Sequence, residues 1–119
     1  MYNLFLDDFR DPQEAYDYKA DNDYLDLEWI VVRSYSAFVQ MIEQKGLPEI
    51  ISFDHDLTLE FYKGEESYDQ LNVKTGYHCA QWLVEFCKSK HLPIPEYKIH
   101  TMNPLGEMNI RNVLEDVKN

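Results

Sequence analysis

Two acidic clusters in this chain each follow a short apolar run. Asp7-Asp8 close Asn3-Leu4-Phe5-Leu6, and Asp54-His55-Asp56 close Glu49-Ile50-Ile51-Ser52-Phe53. Carboxylates held within a few ångströms raise one another's pKa, each unit costing ~1.4 kcal/mol. A hard divalent cation relieves that repulsion, and oxygen donors with water are what magnesium or manganese takes. Asp7, Asp8, Asp54 and Asp56 are therefore the candidate ligands of Mg2+ or Mn2+. For any one of them alone the plainer role is a cap or a solvated charge; Asp8 could cap a helix opening near Pro12. The recurrence of acids after two separate runs is what points to a metal.

Histidine supplies the second chemistry. His55 sits inside the second acidic cluster and His100 closes the run Tyr97-Lys98-Ile99-His100. An imidazole titrates near neutrality, so either could act as general acid or base, or ligate the metal. His78 and His91 fall at positions that suit a solvated surface role. Cations near the acids are few: Arg10, Arg33 and Lys74. Arginine contacts match phosphate oxygens, and the helix starts at Lys74-Thr75-Gly76 and Asn103-Pro104-Leu105-Gly106 offer backbone N–H groups to an anion. Arg10, Arg33, Lys74 and Asn103 are the candidate substrate contacts. Plain capping accounts equally for both helix starts, and Gly106 could serve only close packing.

These residues are brought together only if four short runs are strands of one sheet. The runs are Asn3–Leu6, Trp29–Arg33, Glu49–Phe53 and Tyr97–His100, nearly continuously apolar rather than alternating, as in parallel strands buried on both faces. Helical patterns separate them. Ser36 is the expected cap of a helix carrying Phe38, Met41 and Ile42 and stopped by Gly46 and Pro48. Thr75 or Asn72 caps the next, with Ala80, Leu83, Val84 and Cys87 on one face. Asn103 followed by Pro104 opens the last, whose stripe is Ile110, Val113, Leu114 and Val117. Residues 11–28 hold seven acids against one lysine and are expected to form a short helix from Pro12 and then an acidic loop, with tyrosines covering the sheet edge. Residues 57–74 form a long unpatterned stretch, of the kind that serves as a functional loop. In an open parallel sheet, ligands lie outside the carboxyl ends of the strands. With strand order 2-1-3-4, the first and third runs are neighbours and Asp7, Asp8, Asp54 and Asp56 share one volume.

Composition limits the alternatives. The 119 residues include 22 acids and 11 bases, a net charge of −11, which argues against binding duplex nucleic acid. Apolar residues make up 45%, enough for a self-sufficient domain over 1–119 and too many for a disordered tail. No apolar run approaches the ~18 residues of a membrane span, and the N-terminus shows no secretory signal. Cys79 and Cys87 lie eight residues apart on one expected helix, ~12 Å along its axis and too far for a disulfide. Small core thiols in a reducing cytoplasm are the expectation, with Trp29 and Trp82 also in the core.

LFLDDFRDP at 4–12, ISFDHDL at 51–57, KTGYHCAQWLVEFC at 74–87 and IHTMNPLGEMNI at 99–110 together resemble the cyclic-phosphate-processing receiver domain family, a compact offshoot of the receivers of two-component signalling. The resemblance implies an α/β, flavodoxin-type three-layer sandwich with a short, mainly parallel sheet and an acidic metal pocket. In ordinary receivers an acidic pair after the first strand and an aspartate after the third hold magnesium, and that aspartate accepts a phosphoryl group. The matching positions are Asp7 with Asp8, and Asp54; Asp56 matches the residue that adds a backbone carbonyl. Ordinary receivers also place a lysine after a fifth strand, which is not evident here, and Lys98 inside the fourth run does not replace it.

The leading expectation is a metal-dependent phosphoesterase acting on a phosphorylated or cyclic-phosphate small molecule or a nucleic-acid end. Asp54, His55 and His100 are its candidate catalytic groups, Asp54 being open to a role as nucleophile or as ligand only. The alternative is a non-enzymatic phospho-receiver with Asp54 as acceptor. A weaker third reading is an acidic decoy for a basic partner. Oligomeric state is not legible.

Overall fold

The computed structural model describes residues 2–56 and 74–118, with side chains to 116. Four strands form one sheet: β1 (Asn3–Leu6), β2 (Trp29–Val32), β3 (Ile50–Phe53) and β4 (Glu96–Ile99), every neighbouring pair parallel, in the order β2-β1-β3-β4. Among the described residues five helices accompany them: α1 (Pro12–Lys19), α2 (Asp23–Asp26), α3 (Tyr35–Lys45), α4 (Gly76–Lys90) and α5 (Pro104–Lys118). The expected strand order and parallel sense both hold. Residues 57–73, with the alternative cap Asn72, lie outside the described residues.

Alternation within each strand divides the sheet into two unlike faces. Leu4, Leu6, Ile51, Phe53 and Ile99 form the main core with Phe38 and Ile42 of α3, Leu83 and Val84 of α4, and Ile110 and Leu114 of α5. The opposite face carries the register row Val31–Phe5–Ser52–Lys98. Among the described residues only α1 and α2 cover it, through Ala15 and Tyr24 packed on Phe5. Trp29 and Trp82 are half-buried at the margins of the two cores. Cys79 and Cys87 are buried free thiols of α4, and no helix among the described residues is long and apolar enough to cross a membrane.

Local chemistry fixes most helix ends, with corrections. Ser34, not Ser36, caps α3: its backbone is extended and its hydroxyl accepts the Ala37 N–H at 3.1 Å. Asp11, not Asp8, caps α1, in a reciprocal box with Glu14. Thr75 caps α4 and Asn103 caps α5, accepting the Gly106 N–H at 3.0 Å. The stretch expected as an acidic loop contains α2. Its tyrosines lie over the β1 face: Tyr24 is buried against Phe5, and Tyr18 donates its hydroxyl to the His100 carbonyl.

Candidate functional site

The sheet ladder runs one residue past the strands. Asp7 N–H donates to the Val32 carbonyl at 3.1 Å, Asp54 N–H to Leu6 at 3.0 Å and His100 N–H to Phe53 at 2.9 Å. Asp7, Asp54 and His100 consequently leave three neighbouring strand tips side by side. One ligand-type atom from each lies within 4.8 Å of the others, and all three residues are buried.

Asp7 is wholly buried and turns both oxygens inward. Oδ1 accepts the N–H groups of Phe9 (3.0 Å) and Arg10 (2.8 Å), while Oδ2 faces His100 Nε2 at 3.1 Å. Burial pushes its pKa up, but the His100 and backbone hydrogen bonds prevail and hold it below the usual carboxylate value. Through the Phe9 and Arg10 N–H groups it ties down the turn between β1 and α1. Arg33 ties the same turn from outside, donating to the Arg10 carbonyl at 2.6 Å and to Asp11 Oδ1 at 2.8 Å.

That turn delivers Asp8 and Arg10 to a cleft of about 390 Å³, lined also by Asp54, Asp56, Thr101 and Asn103. Burial and the Asp7 charge raise Asp8 to about 6. Burial and the same charge raise Asp54 to about 7, against the opposing pull of the His55 N–H and the Thr101 hydroxyl. Asp8 Oδ1 is buried without a hydrogen-bond partner among the described residues. Two carboxyls with displaced pKa values and an orphaned oxygen in one small cleft form a donor set that fits a hard divalent cation. Arg10 stands at the mouth, its guanidinium over the Phe9 ring at 4.7 Å and beside Met102 Sδ at 3.7 Å. A larger groove of about 690 Å³ between α4 and α5 is lined by residues such as Gln81, Asn109 and Asn112 and gathers no carboxylates from strand tips.

Two glycines let the helix starts close on this cleft. A Cβ on Gly76 would lie 1.8 Å from the Asp54 carbonyl oxygen, and one on Gly106 would lie 2.5 Å from the His55 ring. The Gly76 N–H donates to the His55 carbonyl at 2.7 Å.

The expected site residues thus divide. Asp8, Arg10, Asp54, Asp56 and Asn103 line the cleft, and Asp7 lies directly beneath. His55 does not line it: the ring sits against Gly106, with Nδ1 3.0 Å from Asp56 Oδ1. His100 is fully buried, Nδ1 2.7 Å from Ser52 Oγ and its ring stacked on Phe5 at 4.2 Å. Neither imidazole reaches the cleft face, so the expectation of direct acid–base contact with a substrate is corrected for both. Arg33 is committed to the β1–α1 turn, and Lys74 lies outside the lining with Nζ 5.9 Å from the Tyr35 ring; neither contacts the cleft. Lys98 bridges Asp21 (2.8 Å) and Asp23 (2.9 Å). His78 shares the cap of α4, accepting the Thr75 N–H at 2.9 Å, and His91 closes that helix in the left-handed region with φ 57°.

Sequence reasoning missed Ser52 and Tyr24, whose hydroxyls lie 2.7 Å apart beneath His100. Their partners are 28 and 48 residues away in the chain, and no local spacing encodes them.

A family model described as the cyclic-phosphate processing receiver domain matches residues 2–116. No curated protein and no solved structure matches the chain.

Proposed function

The chain belongs to the cyclic-phosphate processing receiver domain family, and from that footing we propose that it is a divalent-metal-dependent phosphoesterase acting on a cyclic phosphate or a nucleotide- or RNA-end-derived phosphoester. The observation that carries the reading is the pair Asp8 and Asp54, two crowded carboxyls raised to about 6 and about 7 in one cleft beside Arg10.

Asp8 and Asp54, with Asp56 at the rim, would hold Mg2+ or Mn2+. When bound, such a cation supplies positive charge for the phosphoryl oxygens and lowers the pKa of a coordinated water. The chain's own groups do the rest. Arg10 presents a guanidinium to the substrate phosphate. Asn103 spends its side-chain oxygen on the Gly106 N–H, so its amide NH2 is the donor it can turn toward a phosphate oxygen. Thr101 holds Asp54 through its hydroxyl and accepts the Asn103 N–H at 3.2 Å. His55 acts one bond removed from the cleft, orienting Asp56.

The test is hydrolysis of 2′,3′-cyclic nucleotides with Mg2+ or Mn2+. Turnover that a chelator abolishes, and that Asp54→Asn lowers by about 100-fold or more, supports the reading; equal turnover in wild type and Asp54→Asn removes it. Absence of turnover together with stable labelling of Asp54 by acetyl phosphate would favour a phospho-receiver instead.

A further inference from the structure

Beneath the cleft a file of buried polar atoms crosses the α1–α2 face of the sheet. Tyr24 Oη is 2.7 Å from Ser52 Oγ, Ser52 Oγ is 2.7 Å from His100 Nδ1, and His100 Nε2 is 3.1 Å from Asp7 Oδ2. Asp7 Oδ1 then accepts the N–H groups of Phe9 and Arg10. Ser52 occupies the register position between Phe5 and Lys98. Its small side chain leaves room for the imidazole to lie over β3 and stack on Phe5, with an interplanar angle of 9°. Tyr24 closes the far side edge-on, 6.1 Å from the His100 ring centroid.

We propose that Tyr24 and Ser52 are positioning residues that hold the ring of His100 in place by pairing its Nδ1, so that its Nε2–H holds Asp7 and, through Asp7, the turn that carries Asp8 and Arg10. As it concerns the site, this deepens the reading above and rests on it. The proton directions follow from donor capacity. An ionised Asp7 accepts only, so His100 Nε2 carries the proton. A neutral ring in this dry, aromatic enclosure leaves Nδ1 as an acceptor. The Ser52 hydroxyl must then donate to Nδ1, and its lone pair takes the Tyr24 hydroxyl proton. All the groups in the file are buried, so each broken link leaves an unpaired polar atom without water to replace its partner. Metal sites behave alike: the groups that orient ligands from behind commonly matter about 10–100-fold in affinity.

His100 on this account is a positioning residue whose proton stays on Nε2. The test is 15N spectroscopy of histidine-labelled full-length protein at neutral pH, with His100 assigned by its loss in His100→Gln, combined with Mn2+ titration of the same samples. The wild-type spectrum is expected to show a protonated Nε2 and a bare Nδ1 at His100. Ser52→Ala is expected to leave Nδ1 unpaired, shift its 15N resonance and weaken Mn2+ binding about tenfold, and Tyr24→Phe to act in the same direction. His100→Gln, which can still donate to Asp7, is expected to bind Mn2+ more tightly than His100→Ala. A proton on Nδ1 in the wild type overturns the proposal, as does a folded Ser52→Ala with an unmoved Nδ1 resonance and unchanged Mn2+ affinity. Tyr24→Phe, which removes one hydroxyl, decides in the same way if Ser52→Ala does not fold. If wild type fails to bind Mn2+ at all, the cation reading falls while the spectrum still judges the relay.

Discussion

Asp54 carries its charge at a cost to the fold. Its carboxyl moves from the ordinary 3.8 to about 7 on folding, through burial and the neighbouring Asp7 charge. Between those values the folded chain holds a proton that the unfolded chain has released, so stability falls as pH rises through that window. The displacement corresponds to at most about 4 kcal/mol, lost above pH 7 and restored near pH 4. Asp54→Asn is therefore expected to melt at a higher temperature than wild type at pH 8 without divalent cations, with the difference closing toward pH 4. Thermal denaturation at the two pH values checks this, and a variant less stable than wild type at pH 8 contradicts it. Gaining stability by deleting a functional charge is the usual mark of a site built for ligand rather than for folding. Asp7 behaves oppositely, since its hydrogen bonds to His100, Phe9 and Arg10 hold it below the usual value.

At the scale of elements, the cleft exists because helix starts can approach the β3 tip closely. Gly76 opens α4 against the Asp54 carbonyl, where a Cβ would lie 1.8 Å from backbone oxygen. Gly76→Ala must push α4 or the Asp54 turn aside, at about 1–3 kcal/mol for overpacking, and denaturant unfolding should show that loss; unchanged stability would mean the approach is not obligatory. The strand runs were legible in the sequence because they are mostly apolar and end on polar residues, whereas composition does not encode their order. The acids were legible for the same reason, lying at tips that the ladder extends by one residue. Ser34 and Ser36 flank one helix start, and composition does not separate them; the extended backbone at Ser34 does. Helix α2 is only four residues, DYLD, too short to show periodicity, and its anchor is the burial of Tyr24. The histidines' depth was hidden as well, because burial of His100 depends on a serine 48 residues away that leaves space for its ring.

Across the whole molecule, the two faces of the sheet do different work. Among the described residues α3, α4 and α5, with the larger apolar cluster, stabilise one face. The other bears a thin cover of α1 and α2, fastened at its far edge by Lys98 to Asp21 and Asp23. The polar file from Tyr24 to Asp7 runs under that cover, so the acidic segment serves the site as well as the sheet. A net charge of −11 attracts divalent cations loosely at many surface points, an attraction that physiological salt screens beyond ~8 Å. A cation shared by Asp8 and Asp54 must stand out from that background by its stoichiometry and its dependence on two particular carboxylates. The decisive measurement is calorimetric titration of the full chain with Mn2+ in physiological salt, comparing wild type with Asp8→Asn and Asp54→Asn. One site in the wild type, weakened at least about tenfold in each variant, is the result predicted; equal affinity in all three proteins would contradict it.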